Sequence, residues 1–405
     1  MACQIQFPRS ISTVRVRLID TTGVMVSRSK PLIQPEEPML EYLNIYVAAF
    51  LVEHKPSGKK IMFDLGIRKD YWNYPAILQK RLSEVIPALR VEKDVTEILK
   101  ENGIQLDEIS TVVWSHYHWD HIGNTAAFPS TTELVVGPGF KLAPNILPGY
   151  PLDPHSPVEA QIFANRTLRE VDFASTDLHI GDYPAHDFFG DGSFYLLDTP
   201  GHCIGHICGL ARTTADPESS FLLLGGDICH FPGVFRPSQQ MPLPDPIPRG
   251  VLDPAKNFPL LCPCTLFTDN HPRRFMASFG DERRTPFFLI PTDANSSAYI
   301  DPKTAQGSVE SLIAFDSHPD VMVCLAHDED LVKKLPTLNN SPDNDLNSWK
   351  QRGLKDKITW TWLNHLPHNG QAGENFAVEG FWRDGQHWPS AKDELGVKGR
   401  EALGA

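Results

Sequence analysis

Apolar residues come in short runs along the chain, and the spacing within each run predicts an element. At 14–19 arginines alternate with apolar residues, the period of a half-buried strand. Runs at 44–53 and 59–65 are apolar and partly β-branched. The turn Lys55-Pro56-Ser57-Gly58 between them predicts a hairpin. Residues 75–103 read as helical, with Val95, Ile98 and Leu99 at helical spacing and Asn102-Gly103 as a stop.

Four later runs share a feature. The β-rich run 109–114 leads directly into His116-Tyr117-His118-Trp119-Asp120-His121. The run 193–197 leads into Asp198-Thr199-Pro200-Gly201-His202, and 221–224 into Gly225-Gly226-Asp227. The run 321–325 leads into Ala326-His327-Asp328. Loops at strand ends are where a rigid scaffold carries its chemistry. Four apolar strands that each end in His or Asp therefore predict one shared site.

Between these runs the pattern breaks. Residues 232–263 hold nine prolines and little periodicity, which predicts a long loop or insertion and not a core element. Residues 338–348 are polar and rich in Asn and Asp, an expected exposed loop. The tail carries five of the eight tryptophans, Trp349, Trp360, Trp362, Trp382 and Trp388, expected to pack it against the body. His365, His368 and His387 have no supporting spacing and read as surface histidines.

Composition narrows the class. With 41% hydrophobic residues in 405, the chain can bury a large core, as one fold with insertions or as two domains. Charged residues at 21% and aromatics at 10% exclude a disordered chain. A net charge of −13 repels phosphate backbones, so no nucleic-acid partner is expected. Met1 to Pro8 lack the pattern of a secretory signal, and Leu403-Gly404-Ala405 matches no address. No stretch approaches the ~18 apolar residues of a membrane helix. The expectation is a cytoplasmic protein that acts on a small molecule without a membrane, with a homodimer left open. Seven cysteines fit a reduced compartment better than a disulfide framework. Cys262-Pro263-Cys264 is a weak metal or redox signal, with packing the expected role.

The histidine cluster carries the chemistry. Zinc takes imidazole nitrogen and carboxylate oxygen, usually four at a time. A tight loop sends alternate side chains to opposite sides, so His116 and His118 can serve one ion while Asp120 and His121 face a second. His202, Asp227 and His327 complete a set of five His and two Asp, in which Asp227 bridges. Two adjacent cations lower the pKa of a bridging water and polarise a carbonyl or phosphoryl oxygen. Hydrolysis is the natural outcome. Zinc is expected, though manganese, iron or cobalt would suit the same ligands.

The segment His116-Tyr117-His118-Trp119-Asp120-His121 resembles the signature of the metallo-β-lactamase superfamily. Asp64-Leu65-Gly66, Thr199-Pro200-Gly201-His202-Cys203-Ile204-Gly205-His206, Gly226-Asp227 and His327-Asp328 resemble its other landmarks, in the family's order. The resemblance implies an α+β fold, an αββα sandwich of two facing mixed sheets with helices outside. The expected arrangement is one such domain over 1–405, with a proline-rich insertion at 232–300 and a C-terminal extension at 338–405. It assigns His116, His118 and His202 to the first metal, Asp120, His121 and His327 to the second, and Asp227 to both.

Within the family, His118 argues against the diiron flavoproteins, which carry Glu there. The fullest likeness is to the lactonase-like branch, including fungal lactamases that open benzoxazolinone-type rings. The implied reaction is opening of a small cyclic ester, amide or carbamate, of γ-lactamase type, by a metal-bridged hydroxide. Asp120 would shuttle the proton. The best-known lactonases carry Tyr three residues after the bridging Asp; here His230 stands, open between an oxyanion donor and a polar wall. N-acyl-homoserine lactonase, thioesterase and phosphotriesterase activity remain alternatives at the same metals. A mononuclear iron dioxygenase and a non-catalytic metal-binding scaffold are alternatives of other kinds. His206 reads as a support for its neighbours, Cys203 as packing, and His318 as a weaker rival to His327.

Overall fold

The computed structural model describes residues 5–293 and 295–403. Cys3, the first half of the N-terminal reading and the last two residues of the C-terminal reading lie outside them. Two sheets form the body. The first contains β1 (Arg15–Arg28), β2 (Tyr42–His54), β3 (Lys59–Phe63), β4 (Ala88–Val91), β5 (Ile109–Val113), β6 (Glu133–Val136) and β7 (Leu168–Glu170). Their spatial order is β4-β1-β2-β3-β5-β6-β7. The second contains β8 (His179–Ile180), β9 (Tyr183–Asp187), β10 (Phe194–Asp198), β11 (Ile207–Thr214), β12 (Ser220–Leu224) and β13 (Val321–Cys324), in the order β13-β12-β11-β10-β9-β8. β1, β2 and β3 run antiparallel, whereas β3, β5, β6 and β7 are parallel, as are β12 and β13.

Successive strand residues face opposite sides of a sheet, and this alternation builds four layers. Phe50, Val52, Ile61, Phe63 and Val113 pack between the sheets against Phe194, Leu196, Leu222, Leu224 and Met322. Their neighbours Leu51, Met62 and Val112 face outward onto Val95, Ile98 and Leu99 of α2 (Val95–Glu101), which follows α1 (Ala76–Val85). On the far side Leu197, Leu223, Val321 and Val323 share a cluster with Val309, Leu312 and Phe315. That helix enters chain order after α3 (Trp119–Ile122) and α4 (Thr265–Thr268), and is α5 (Pro302–Ser317). α6 (Glu329–Lys334), α7 (Leu354–Ile358) and α8 (Ala391–Leu403) follow. The αββα sandwich is present as expected.

Three readings change. The 75–103 segment is not one helical stretch: α1 ends at Val85 and β4 intervenes before α2. Pro87 lacks an N–H and disfavours helix at the residue before it, and Ile86 is indeed extended. The proline-rich segment is irregular but not peripheral. Phe231, Phe235, Leu243, Ile247 and Val251 are buried in the α5 cluster. The tail seals this layer: Trp362, 1% exposed, stands edge-on to Phe231 and Phe287. His365, finally, is no surface histidine. Its ring nitrogens face Glu374, Glu329 and Asp330 in a half-buried to buried cluster.

Candidate metal centre

The polar groups singled out in the sequence collect at one edge of the sandwich, where β3, β5, β10, β12 and β13 end. Asp64, directly after β3, adopts φ +60°, an uncommon conformation for a non-glycine residue. Its carboxylate accepts from the Ser115 N–H at 2.7 Å, the Ser115 hydroxyl at 2.7 Å and the His121 Nδ1 at 2.8 Å. These bonds tie the loop after β5 to the end of β3. Gly226 has φ +49°, and a Cβ there would lie 2.7 Å from that of Ser115. Only glycine lets β12 deliver Asp227 this close to the histidine loop.

Two sets of ligand-type atoms result. His116, His118, His202 and Asp227 form one, and Asp120, His121, His327 and Asp227 the other; within each set the atoms lie within 4.8 Å of one another. Asp227 belongs to both through different oxygens. Its Oδ1 lies 3.0 Å from Nε2 of His121 and 3.0 Å from Nε2 of His327. Its Oδ2 lies 3.3 Å from Nε2 of His202 and 3.6 Å from Nε2 of His116. Asp120 Oδ2 stands 3.6 Å from Nε2 of His327.

Outer partners fix which nitrogen faces inward. His121 Nδ1 pairs with Asp64, His327 Nδ1 donates to the Tyr46 carbonyl at 2.8 Å, and His116 Nδ1 meets the Ser115 hydroxyl at 3.0 Å. Each therefore turns Nε2 to the centre, the usual way a protein orients imidazole ligands. His206 is the support expected of it. Its Nδ1 bonds Thr199, and its Nε2 accepts the Asp227 N–H at 3.0 Å.

The inward atoms fit cations better than they fit each other. His202 Nε2 and His118 Nδ1 meet at 2.9 Å, and His121 Nε2 and His327 Nε2 at 3.3 Å. His116 Nε2 is buried without a hydrogen-bond partner among the described residues. Buried polar atoms are seldom left so. Burial and neighbouring imidazoles hold His116 and His118 well below the ordinary histidine value, and burial holds His202 at about 3. Neutral imidazole is the ligand form. Burial would also depress His121 and His327, but Asp227 raises both, most strongly His121. Cation binding would displace those protons.

His230 also enters the site. Its Nε2 lies 3.1 Å from Asp227 Oδ2, and its ring stacks on His327 at 5.4 Å. Its Nδ1 meets the Tyr299 hydroxyl at 2.7 Å. Asp64 and Ser115 carry no ligand-like spacing of their own, although Asp64 belongs to a recognised landmark. Tyr299 gave no signal at all, because it arrives from the far end of the proline-rich segment. Cys203 and His318 fall outside both sets. A cavity of about 100 Å³ opens onto the centre, walled by Met25, Leu32, Ile45, Leu78, Leu82 and Trp119. His118, Asp120, His202, Asp227 and His230 form its polar end, and Ser27 and Arg81 also line it.

The model of the metallo-β-lactamase superfamily matches residues 44–212. The chain is 41% identical to the γ-lactamase FDB1 of Fusarium pseudograminearum over 362 residues, 88% of this chain and 83% of that one. It is 44% identical to the γ-lactamase MBL2 of Gibberella moniliformis over 257 residues, 62% of this chain and all of that one. The solved structure of a point mutant of AiiA from B. thuringiensis, with N-decanoyl-L-homoserine bound at its active site, superposes with a TM-score of 0.50 at 17% identity. The match covers 80% of this chain and 98% of AiiA and is a likeness of fold. The chain belongs to the metallo-β-lactamase superfamily. It is a metal-dependent hydrolase.

Proposed function

We propose that this enzyme opens a small neutral lactam, lactone or cyclic carbamate. The ligands would be His116, His118 and His202 for one cation and Asp120, His121 and His327 for the other, with Asp227 shared. The observation that supports this most is the Asp227 carboxylate, each oxygen of which faces a different histidine set at the floor of an apolar cavity. Two cations bound there would acidify a shared water and polarise the substrate carbonyl. Zinc suits five imidazoles and two carboxylates, and manganese, iron or cobalt would suit them too.

The chain's own groups do the rest. The apolar walls strip water from a flat ring and leave its carbonyl at the polar end. His230 offers an Nε2–H to the carbonyl oxygen as negative charge builds there. Asp120, through the carboxylate oxygen that would hold no cation, takes the proton released by the attacking water and returns it to the departing nitrogen or oxygen. The γ-lactamase relatives, more than the low-identity likeness to AiiA, support a lactam or carbamate over an acyl-homoserine lactone.

Residues 232–300 fit an insertion into one such domain, and 338–405 an extension that covers it. The six cysteines of the described residues are all free and buried, which supports a reduced, cytoplasmic setting. No helix among the described residues is long and apolar enough to cross a membrane.

A panel of small rings tests the reading: benzoxazolinone, a γ-lactam, a γ-lactone, an N-acyl-homoserine lactone, a thioester and a phosphotriester. Fastest turnover on a lactam, lactone or carbamate ring is expected. Fastest turnover on the thioester or phosphotriester would overturn it.

A further inference from the structure

Tyr299 is buried to 1% exposure beside the metal centre, yet no residue of the histidine motif or its landmarks lies near it in sequence. Its position is fixed on both flanks. The Ala298 N–H donates to the Pro31 carbonyl at 2.9 Å. On the other flank the Ile300 N–H donates to the His202 carbonyl at 2.9 Å, and the Asp301 N–H to the Gly201 carbonyl at 3.0 Å. Gly201, at φ +126°, lies so close to α5 that a Cβ would come within 2.2 Å of the Ala305 nitrogen. The segment that ends the proline-rich stretch is thus pinned to the loop that carries His202. The Tyr299 ring packs edge-on to the His202 ring at 5.1 Å.

The hydroxyl has one side-chain hydrogen bond among the described residues, to Nδ1 of His230 at 2.7 Å. The other ring nitrogen of His230 faces Asp227 Oδ2 at 3.1 Å. A carboxylate oxygen only accepts, so the nitrogen that faces it carries the hydrogen. In the neutral ring Nδ1 is then the acceptor, and the phenol must donate. Without that donor the imidazole can exchange tautomers or rotate, and its inward N–H is no longer guaranteed.

We propose that Tyr299 is a positioning residue for the reaction: its hydroxyl donates to Nδ1 of His230 and so keeps the Nε2–H of that ring turned into the substrate cavity. This rests on the reading of His230 as a donor to the substrate. Tyr299 acts through His230 and through no contact of its own with the reacting atoms. The proline-rich segment thereby contributes to the site, and does not merely cover it.

The experiment compares Tyr299→Phe, His230→Gln and the double variant in the zinc-loaded full chain. Kinetics are measured on the fastest ring of the panel above, and ¹⁵N-histidine NMR is recorded without substrate. Folding and zinc content are checked for each protein. Tyr299→Phe should lower kcat roughly tenfold, the lower end for loss of an orienting partner, with KM nearly unchanged. The His230 Nδ1 signal, assigned by its loss in His230→Gln, should leave the position of an unprotonated acceptor or broaden by tautomer exchange. A glutamine amide donates without a choice of tautomer, so Tyr299→Phe should cost less than twofold in the His230→Gln background.

A Tyr299→Phe enzyme with unchanged kcat and an unchanged Nδ1 signal would overturn the proposal while His230 keeps its role. An equal loss in both backgrounds would also overturn it, as a structural effect independent of His230. If His230→Gln and His230→Ala both keep full kcat, the donor role of His230 itself fails, a separate result from the failure of Tyr299.

Discussion

Two clusters of histidine and carboxylate come within two residues of each other in sequence at His327 and Glu329, and they differ in what their nitrogens touch. At the metal centre, inward imidazole nitrogens meet one another at 2.9 and 3.3 Å, and His116 Nε2 has no partner among the described residues. In the Glu329–His365–Glu374 cluster, whose ligand-type atoms also lie within 4.8 Å of one another, His365 Nδ1 is 2.7 Å from Glu374 and Nε2 faces Glu329 and Asp330. Lys333 and Lys334 pair with Glu329 and Asp330. Burial alone would lower the His365 pKa, but Asp330 and Glu374 hold it at about 10. One cluster already contains its cation, an imidazolium. The other crowds inward imidazole nitrogens against one another around Asp227, and the protons that Asp227 favours on His121 and His327 are ones a bound cation would displace. Composition and proximity do not separate the two; the hydrogen-bond inventory does.

The sharpest way to break this comparison is to remove Asp227. Asp227→Ala takes an oxygen from both sets, and a loss of kcat/KM beyond a thousandfold is expected, with metal content below two ions per chain. Metal analysis beside kinetics checks it, and wild-type turnover by Asp227→Ala would dismiss the shared-carboxylate arrangement. Next in size, Asp120→Asn or His118→Ala should cost more than a hundredfold in kcat/KM. If Asp120→Asn retains both ions and turns over normally, Asp120 is no proton carrier. Asp64→Asn should weaken metal binding by roughly 10–100-fold, because the amide can no longer accept from both Ser115 and His121 as the carboxylate does. Chelator competition reads this directly, and unchanged affinity would remove Asp64 from the account.

His365→Gln sharpens the contrast from the other side. Metal content and kcat should stay within twofold, while stability falls by at most about 3–5 kcal/mol, because Glu374 loses its close partner and Glu329 and Asp330 keep only Lys333 and Lys334. The pH dependence follows from the raised pKa. The His365 contribution is fully present below the unfolded value of ~6.5 and is lost as pH rises towards about 10. Wild type should therefore lose more stability between these limits than His365→Gln. Parallel melting curves across that range would contradict the ion-pair reading.

The sequence reached these two clusters unequally, for a physical reason. The ligand-type residues of the metal centre each follow a β-rich run, and strand ends converge by sheet pairing, so a local pattern carries non-local information. Which way Phe50 and Leu51 face was not legible, because the run 44–53 is apolar on both parities. His365 has no such pattern. Its partners Glu329, Asp330 and Glu374 lie on an unrelated helix and in the irregular tail, and only tertiary packing joins them. Tyr299 was hidden for the same reason, because its place depends on backbone bonds to Pro31 and His202. β4 was missed because four residues after Pro87 are too few to display a period.

In the proposed arrangement two cations would lie on either side of the Asp227 carboxylate. Anomalous X-ray diffraction at the absorption edge of the metal in the purified enzyme tests it most directly. Two peaks are predicted, one among His116, His118 and His202 and one among Asp120, His121 and His327, with Asp227 between them. A single peak remote from Asp227, or a peak at Glu329, His365 and Glu374 instead, would contradict it.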